Sequence, residues 1–461
     1  MKKFIALLLT VVLAAGVLTG CGEKKGGEAT PTPTKADEKR TFVIYAWNEE
    51  FKGEFEQFYK DKVPANVEVK WVITPSTNNA YQNKLDADLK AGKQIDMYLI
   101  EADYASKYTK TDYTLDLKTI GITDQDTAQM YEYTKTVVKD DKGNLKGASW
   151  QATPGLFAYR RDIAKEVLGT DDPVKVQEIL SNWTKFDEVA AKMKKAGYYM
   201  LSSYDDAYRT YSNNVSAPWV NANNEIIIDE NIKNWIKQTK TYTEKGYVHG
   251  TQLWDPDWGK DQGPDGKVFG IFYSTWGINF TLLGNSLANP VPKEMKKYSE
   301  EYWKFLEGNG KFGQWAVCEG PATGWYWGGT WLCAGKSCLN DGNKDLVRDI
   351  IYTMTCDKAM AKKITIDVED YTNNMAAMKE IANDPNYGSK FLGGQNHIKL
   401  FSELAPKIDM SNISPYDQGC NEQLQTAMRS YYQGKATYEQ ALDAFYKAVI
   451  TLYPNLKRPA K

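Results

Sequence analysis

The sequence predicts an α/β fold assembled from more than one sheet-and-helix unit. Three observations carry this. Short β-branched and aromatic runs alternate with helix-period segments, the helical segments stop at glycines, and 461 residues are too many for a single core.

The first run, residues 41–47 (TFVIYAW), is continuously apolar, the pattern of a strand buried on both faces. Phe51, Phe55, Phe58 and Tyr59 follow at helical spacing. Residues 67–73 read as a second strand, 80–91 as a helix stopped by Gly92, and 96–101 (DMYLIE) as a third strand. Strand and helix alternating at this spacing imply right-handed parallel crossovers, and in such sheets ligands sit beyond the carboxyl ends of the strands. Two clusters land there: Trp47-Asn48-Glu49 and Glu101-Ala102-Asp103-Tyr104. A single polar residue after a strand is usually a helix cap. Two clusters, each pairing an aromatic with acids, favour a site.

A second α/β unit begins near Trp150. Residues 155–159 read as a strand and 160–168 as a helix. Another helix, 185–196, is N-capped by Thr184 and stopped by Gly197, and a strand follows at 198–203. Residues 229–242 form an amphipathic helix, and a strand at 268–273 enters Ser274-Thr275-Trp276-Gly277. Residues 313–335 are extended and aromatic, and from 344 onward the chain is mostly helical, ending in helices 423–432 and 438–451. Within the aromatic stretch, Trp325 and Trp327 share one face if the segment is a strand. Two indoles on one face suit a core and a ligand platform equally; the flanking Gly324, Gly328 and Gly329 let backbone approach closely, which suits the platform.

Composition narrows the function. Lys and Arg number 57 against 59 Asp and Glu, a balance that argues against nucleic-acid binding. Only two histidines, His249 and His397, leave little material for His-rich metal sites or His-dependent triads. The 14 Trp and 30 Tyr outnumber the 15 Phe, and these rings with polar tips suit half-polar ligands. No cofactor or metal motif emerges. Gly335-Lys336-Ser337 lacks the upstream glycine of a phosphate loop, since Thr330 stands there. Asp255 to Asp261 alternates oxygens like a calcium loop but has no closing glutamate, so a solvated turn is the better reading.

The N-terminus reads as an export signal. Lys2 and Lys3 precede an apolar run from Phe4 to Leu18, too short to span a bilayer comfortably, which ends in Leu18-Thr19-Gly20-Cys21. That ending resembles the bacterial lipobox, which implies cleavage after residue 20 and lipidation of Cys21. Two acyl chains anchor stably where one is marginal. Residues 21–40 have no apolar period and carry Thr-Pro repeats, so they are expected to be a solvated linker. The remaining five cysteines leave at least one thiol unpaired. Cys333 and Cys338 are spaced to bridge a turn, and buried small hydrophobes are the favoured reading.

In their order along the chain, these segments resemble the extracellular solute-binding proteins of carbohydrate ABC importers, the maltodextrin-binding-protein-like family. The resemblance rests on the opening strand 42–47, on Gln94 to Leu99, and on residues 150–163 (WQATPGLFAYRRDI), where Arg160 replaces the family's usual Asn. It continues through 269–276, 327–336 with the helix after it, and the terminal GKATYEQAL. The resemblance implies a two-lobed periplasmic-binding-protein-like fold, each lobe a mostly parallel sheet flanked by helices, joined by crossing hinge strands. It implies lobes of 41–152 plus about 325–365 and of 153–324 plus about 366–461. It also implies a cleft formed by Trp47, Asn48, Glu49, Glu101, Asp103, Tyr104, Trp150, Gln151, Tyr204, Asp205, Trp219, Trp276, Trp325 and Trp327.

Those residue types fit an oligosaccharide. Sugar hydroxyls need acceptors and amide donors, and the apolar faces of pyranose rings need flat partners. Many Trp favour extended β-linked chains such as cello-oligosaccharides. The expectation is therefore a lipid-anchored, monomeric binding protein on the outer face of a bacterial membrane. It has no catalytic residue or cofactor and delivers its sugar to ABC permease subunits. Two rivals stay open: an extracellular glycoside-active enzyme, which needs only two carboxylates, and a binder of peptides or polyamines.

Overall fold

The computed structural model describes residues 39–459. The expected signal, Cys21 and nearly all of the linker lie outside them. Ten strands organise the rest: β1 (Arg40–Ala46), β2 (Val67–Ile73), β3 (Met97–Glu101), β4 (Ala148–Ser149), β5 (Gly155–Arg160), β6 (Leu201–Ser203), β7 (Val248–Thr251), β8 (Gly270–Ser274), β9 (Trp315–Cys318) and β10 (Thr330–Ala334).

Two main sheets result. The first runs β2-β1-β3-β10-β4 and the second β8-β5-β9, with β6 and β7 paired beside it. A parallel bridge between Tyr199 and Val268 ties β6 to the β8 side. The chain moves from the first sheet to the second between Ser149 and Gly155, and returns between Cys318 and Thr330. Strand direction follows from that path. β1, β2 and β3 are joined by helical crossovers and run parallel, as expected. β10 enters from the other sheet and is antiparallel to both β3 and β4. In the second sheet β5 is antiparallel to β8 and β9, so the expected parallel pairing there is limited to β6 with β7 and the Tyr199–Val268 bridge.

Period-two alternation places the cores. On β1, Phe42, Ile44 and Ala46 face one hydrophobic cluster while Tyr45 faces another. On β10, Leu332 and Ala334 join the first cluster, and Trp331 and Cys333 the second. β5 divides the same way: Phe157 and Tyr159 belong to the far core of the second sheet, Leu156 and Ala158 to the cluster shared by both sheets. Both sheets are therefore covered on both faces, which explains why their strands read as continuous apolar runs.

The helices at Ala80–Lys90, Glu230–Lys245 and Tyr438–Leu452 lie where periodicity places them, whereas the helix expected at 423–432 begins six residues earlier, at Asp417. The helix Trp183–Lys195 begins earlier than expected, because Asn182, not Thr184, caps it: the Asn182 side chain accepts the Lys185 N–H. All five cysteines after residue 38 are free, and four are buried, in keeping with the reading as small buried hydrophobes. The acidic stretch at Asp255 is a short helix, Pro256–Asp261, whose Asp261 accepts from Ser202 and contacts His249. Among the described residues there is no group of side chains able to hold a metal ion, and no helix long and apolar enough to cross a membrane.

Candidate functional site

A cleft of about 510 Å³ opens where the carboxyl ends of β1 and β3 face residues from the second sheet's side and the returning crossover. That volume lies within the usual range for small-molecule sites.

Aromatic rings form one wall. Trp254 and Trp276 lie nearly parallel, 16° apart with centroids 6.1 Å apart, and Trp327 stands across Trp276 at 74° and 5.3 Å. The Trp276 indole N–H donates to the Trp327 carbonyl at 2.7 Å, which fixes the ring's edge. Tyr273 stacks behind Trp327, 17° from parallel. Trp254 is 54% exposed and holds φ at +71°, an unfavourable backbone for a bulky residue. A large apolar ring left in solvent on a strained backbone is costly unless it has something to bind. Opposite, Trp47 meets Tyr81 and Tyr104 edge-on at 5.9 and 6.3 Å.

Polar groups line the floor and far side. The turn after β3 is capped by Glu101, whose carboxylate accepts the Asp103 N–H at 2.9 Å. Asp103 receives a two-pronged hydrogen bond from Arg209, at 2.8 and 2.6 Å, which links the first sheet's side to the second. Asp205 is held by Arg429 at 3.0 Å, and Arg429 also donates to Gln252. Only one Asp205 oxygen is used: Oδ1 is buried with no hydrogen-bond partner. The Tyr104 hydroxyl is likewise buried and unpartnered. Gln151, on the first crossover, donates to Glu50 at 2.9 Å and to Asp370 at 3.1 Å. Burial sets the charge states. It pushes the carboxyl of Glu50 up to about 8, helped by Asp370, and that of Asp206 up to about 7. Glu101 is raised well above the carboxylate range by burial and by neighbouring Asp103. A carboxyl accepts from a hydroxyl and, in its protonated form, also donates to one, which suits a polyhydroxyl ligand.

Nine of the expected residues meet at this cleft: Trp47, Asn48, Glu101, Asp103, Tyr104, Gln151, Asp205, Trp276 and Trp327. Glu49 lines an adjoining cavity instead. Four are corrected by packing. Trp150 is 1% exposed and lies against Phe51 in the first core. Trp325 fills the second core beside Phe272. Trp327, two residues on, is only partly buried: it packs on the second core and on the shared cluster while lining the cleft, and Gly324, Gly328 and Gly329, all at positive φ, turn the chain on either side. Tyr204 stacks on Tyr432, and Trp219 packs on Phe445 and donates to Asn421, lining a small neighbouring cavity that Asp103 and Arg209 also border.

A family model describing the bacterial extracellular solute-binding protein matches residues 54–390, well over half of the chain. The chain belongs to that family. As a bacterial extracellular solute-binding protein it shares its fold with solved structures of low sequence identity. A structure described as an extracellular solute-binding protein of family 1 is 17% identical, with a TM-score of 0.70, covering 89% of this chain and all of its own. The ABC-transporter-associated binding protein of B. animalis subsp. lactis, solved with β-1,6-galactobiose, is 18% identical, with a TM-score of 0.66, covering 92% and 100%. The galacto-N-biose/lacto-N-biose I-binding protein of Bifidobacterium longum, solved with lacto-N-biose, is 14% identical, with a TM-score of 0.65, covering 93% and 100%. No protein of curated function matches the sequence. These likenesses support the two-lobed architecture expected of this solute-binding protein.

Sequence reasoning missed several lining residues of the solute-binding protein's cleft. Arg209, Trp254 and Phe280 follow strands or short turns in the second unit. The helix Asp417–Tyr432 contributes Gln418, Asn421, Glu422, Gln425 and Arg429. Their spacing puts them on one helical face, opposite buried Cys420, Leu424 and Met428. A polar face on an amphipathic helix is ordinarily solvated, so the pattern alone does not distinguish a ligand wall from a surface.

Proposed function

We propose that the protein captures an oligosaccharide in this cleft and delivers it to the permease subunits of an ABC importer. The observation that carries the reading is the pairing of a Trp254–Trp276–Trp327 wall with buried oxygen acceptors, above all the open Oδ1 of Asp205. Flat indoles suit the C–H faces of pyranose rings, and the acceptors and carboxyls suit their hydroxyls. Two structural relatives, solved with β-1,6-galactobiose and with lacto-N-biose, support the same ligand class. The two parallel indoles favour an extended, equatorially linked chain, and cello-oligosaccharides are our preferred ligand. Each lobe carries one sheet, divided near 41–152 plus about 325–365 and 153–324 plus about 366–461. The lobes hinge at the crossovers, as ligand-closing domains do. In the cell the chain is a monomer held to the outer face of the membrane through Cys21.

A panel of gluco-, galacto-, manno- and xylo-oligosaccharides, titrated against intrinsic Trp fluorescence and followed by chromatography of the sugar, tests this. The reading predicts saturable binding of at least one sugar, recovered unchanged. Fluorescence that no sugar alters, or a sugar recovered cleaved, contradicts it.

A further inference from the structure

Beyond the cleft lies a second chamber of about 570 Å³. The two spaces share Glu50, Trp276 and Phe280, so the aromatic wall is also the threshold between them. Phe280 is 51% exposed and stands edge-on to Trp276 at 6.0 Å, an apolar ring facing solvent at that passage. The chamber's lining includes Glu50 and Glu54 on the helix Glu50–Phe58, Asp370 just after the helix Lys358–Val368, Asn279 beyond β8, and Lys297.

Its polar groups are incompletely satisfied. Gln151 ties Glu50 to Asp370, but Oε2 of Glu54 and Oδ1 of Asn279 are shut off from solvent without a hydrogen-bond partner. A buried acceptor left unmet loses the hydrogen bonds that water would give it. Both orphans call for a donor. Burial first, then the neighbouring Asp370 and Glu50, hold Glu54 well above the carboxylate range against the pull of Lys297, and burial brings Asp370 up to about 6. Carboxyls that hold protons this readily attract a cation weakly and pair well with neutral hydroxyls.

We propose that the chamber is a second subsite, taking a further neutral, hydroxyl-bearing sugar unit of a chain that passes over the Trp276–Phe280 threshold. The proposal rests on the oligosaccharide reading above. It makes the protein a reader of chain length: a disaccharide fills the cleft, and longer chains also satisfy Glu54 and Asn279.

The test is calorimetric titration of wild type, Glu54→Leu and Asn279→Ala with cellobiose, cellotriose and cellotetraose, and in parallel with maltose through maltotetraose. Each variant's melting curve is recorded. In the series that binds, affinity rises from disaccharide to tetrasaccharide, and each variant loses roughly tenfold for the tetrasaccharide while keeping its disaccharide affinity. A tetrasaccharide bound no tighter than its disaccharide, or bound equally well by both folded variants, overturns the subsite and leaves the cleft reading standing. Absence of binding by every sugar, including those of the wider panel, overturns the oligosaccharide reading and the subsite with it.

Discussion

Trp276 and Trp325 carry the same side chain to opposite fates. Trp276 leaves β8 at its carboxyl end and stands half-buried in the cleft, whereas Trp325 lies under the β5 strand, 2% exposed. Truncation separates them. Trp276→Ala and Trp327→Ala are expected to weaken sugar binding by about 1–3 kcal/mol with little change in melting temperature, because apolar area is lost only from the complex. Trp150→Ala and Trp325→Ala are expected to cost about 3–5 kcal/mol of stability, the usual range for a buried indole. Melting curves and titrations on all four variants check this together. The contrast also shows where residue-level reading works. Trp47, Asp103 and Trp276 were legible because each directly follows a strand whose end opens on the crevice. Trp150 and Trp325 sit on the crossovers between sheets, where neighbouring positions alternate between cleft and core, and only packing decides which.

Elements bounded by glycine or by a change of period were read nearly to the residue, as with Ala80–Lys90 before Gly92. The crossing strands were harder. Their direction depends on which sheet they join, and a continuous apolar run carries no sign of that. Close approach inside the second sheet is set by two glycines. A Cβ at Gly155 would lie 2.1 Å from the Trp325 ring, and one at Gly270 would lie 2.2 Å from Phe157. Both rings are locked in the core and have no room to yield. Gly155→Ala is therefore expected to destabilise by about 1–3 kcal/mol, the usual range for overpacking. Denaturant unfolding measures it, and a neutral result would mean the Trp325 ring has freedom that its packing denies.

At the scale of the whole molecule, two sheets with separate outer cores share one inner cluster, and the charged contacts between their sides lie at the cleft. Arg209 reaches Asp103 across it, and Gln82 meets Gln418 nearby. At the cleft these pairs join the two sides by polar contacts that can be remade, while the shared inner cluster joins them elsewhere by apolar packing. The central claim is that a sugar occupies the space between them. A crystal structure of the complex with the tightest-binding oligosaccharide of the panel tests it most directly. The account predicts a pyranose ring packed flat on the Trp254–Trp276–Trp327 wall, with a hydroxyl donating to Oδ1 of Asp205. A sugar bound away from that wall, with Oδ1 of Asp205 still unpartnered, would contradict it.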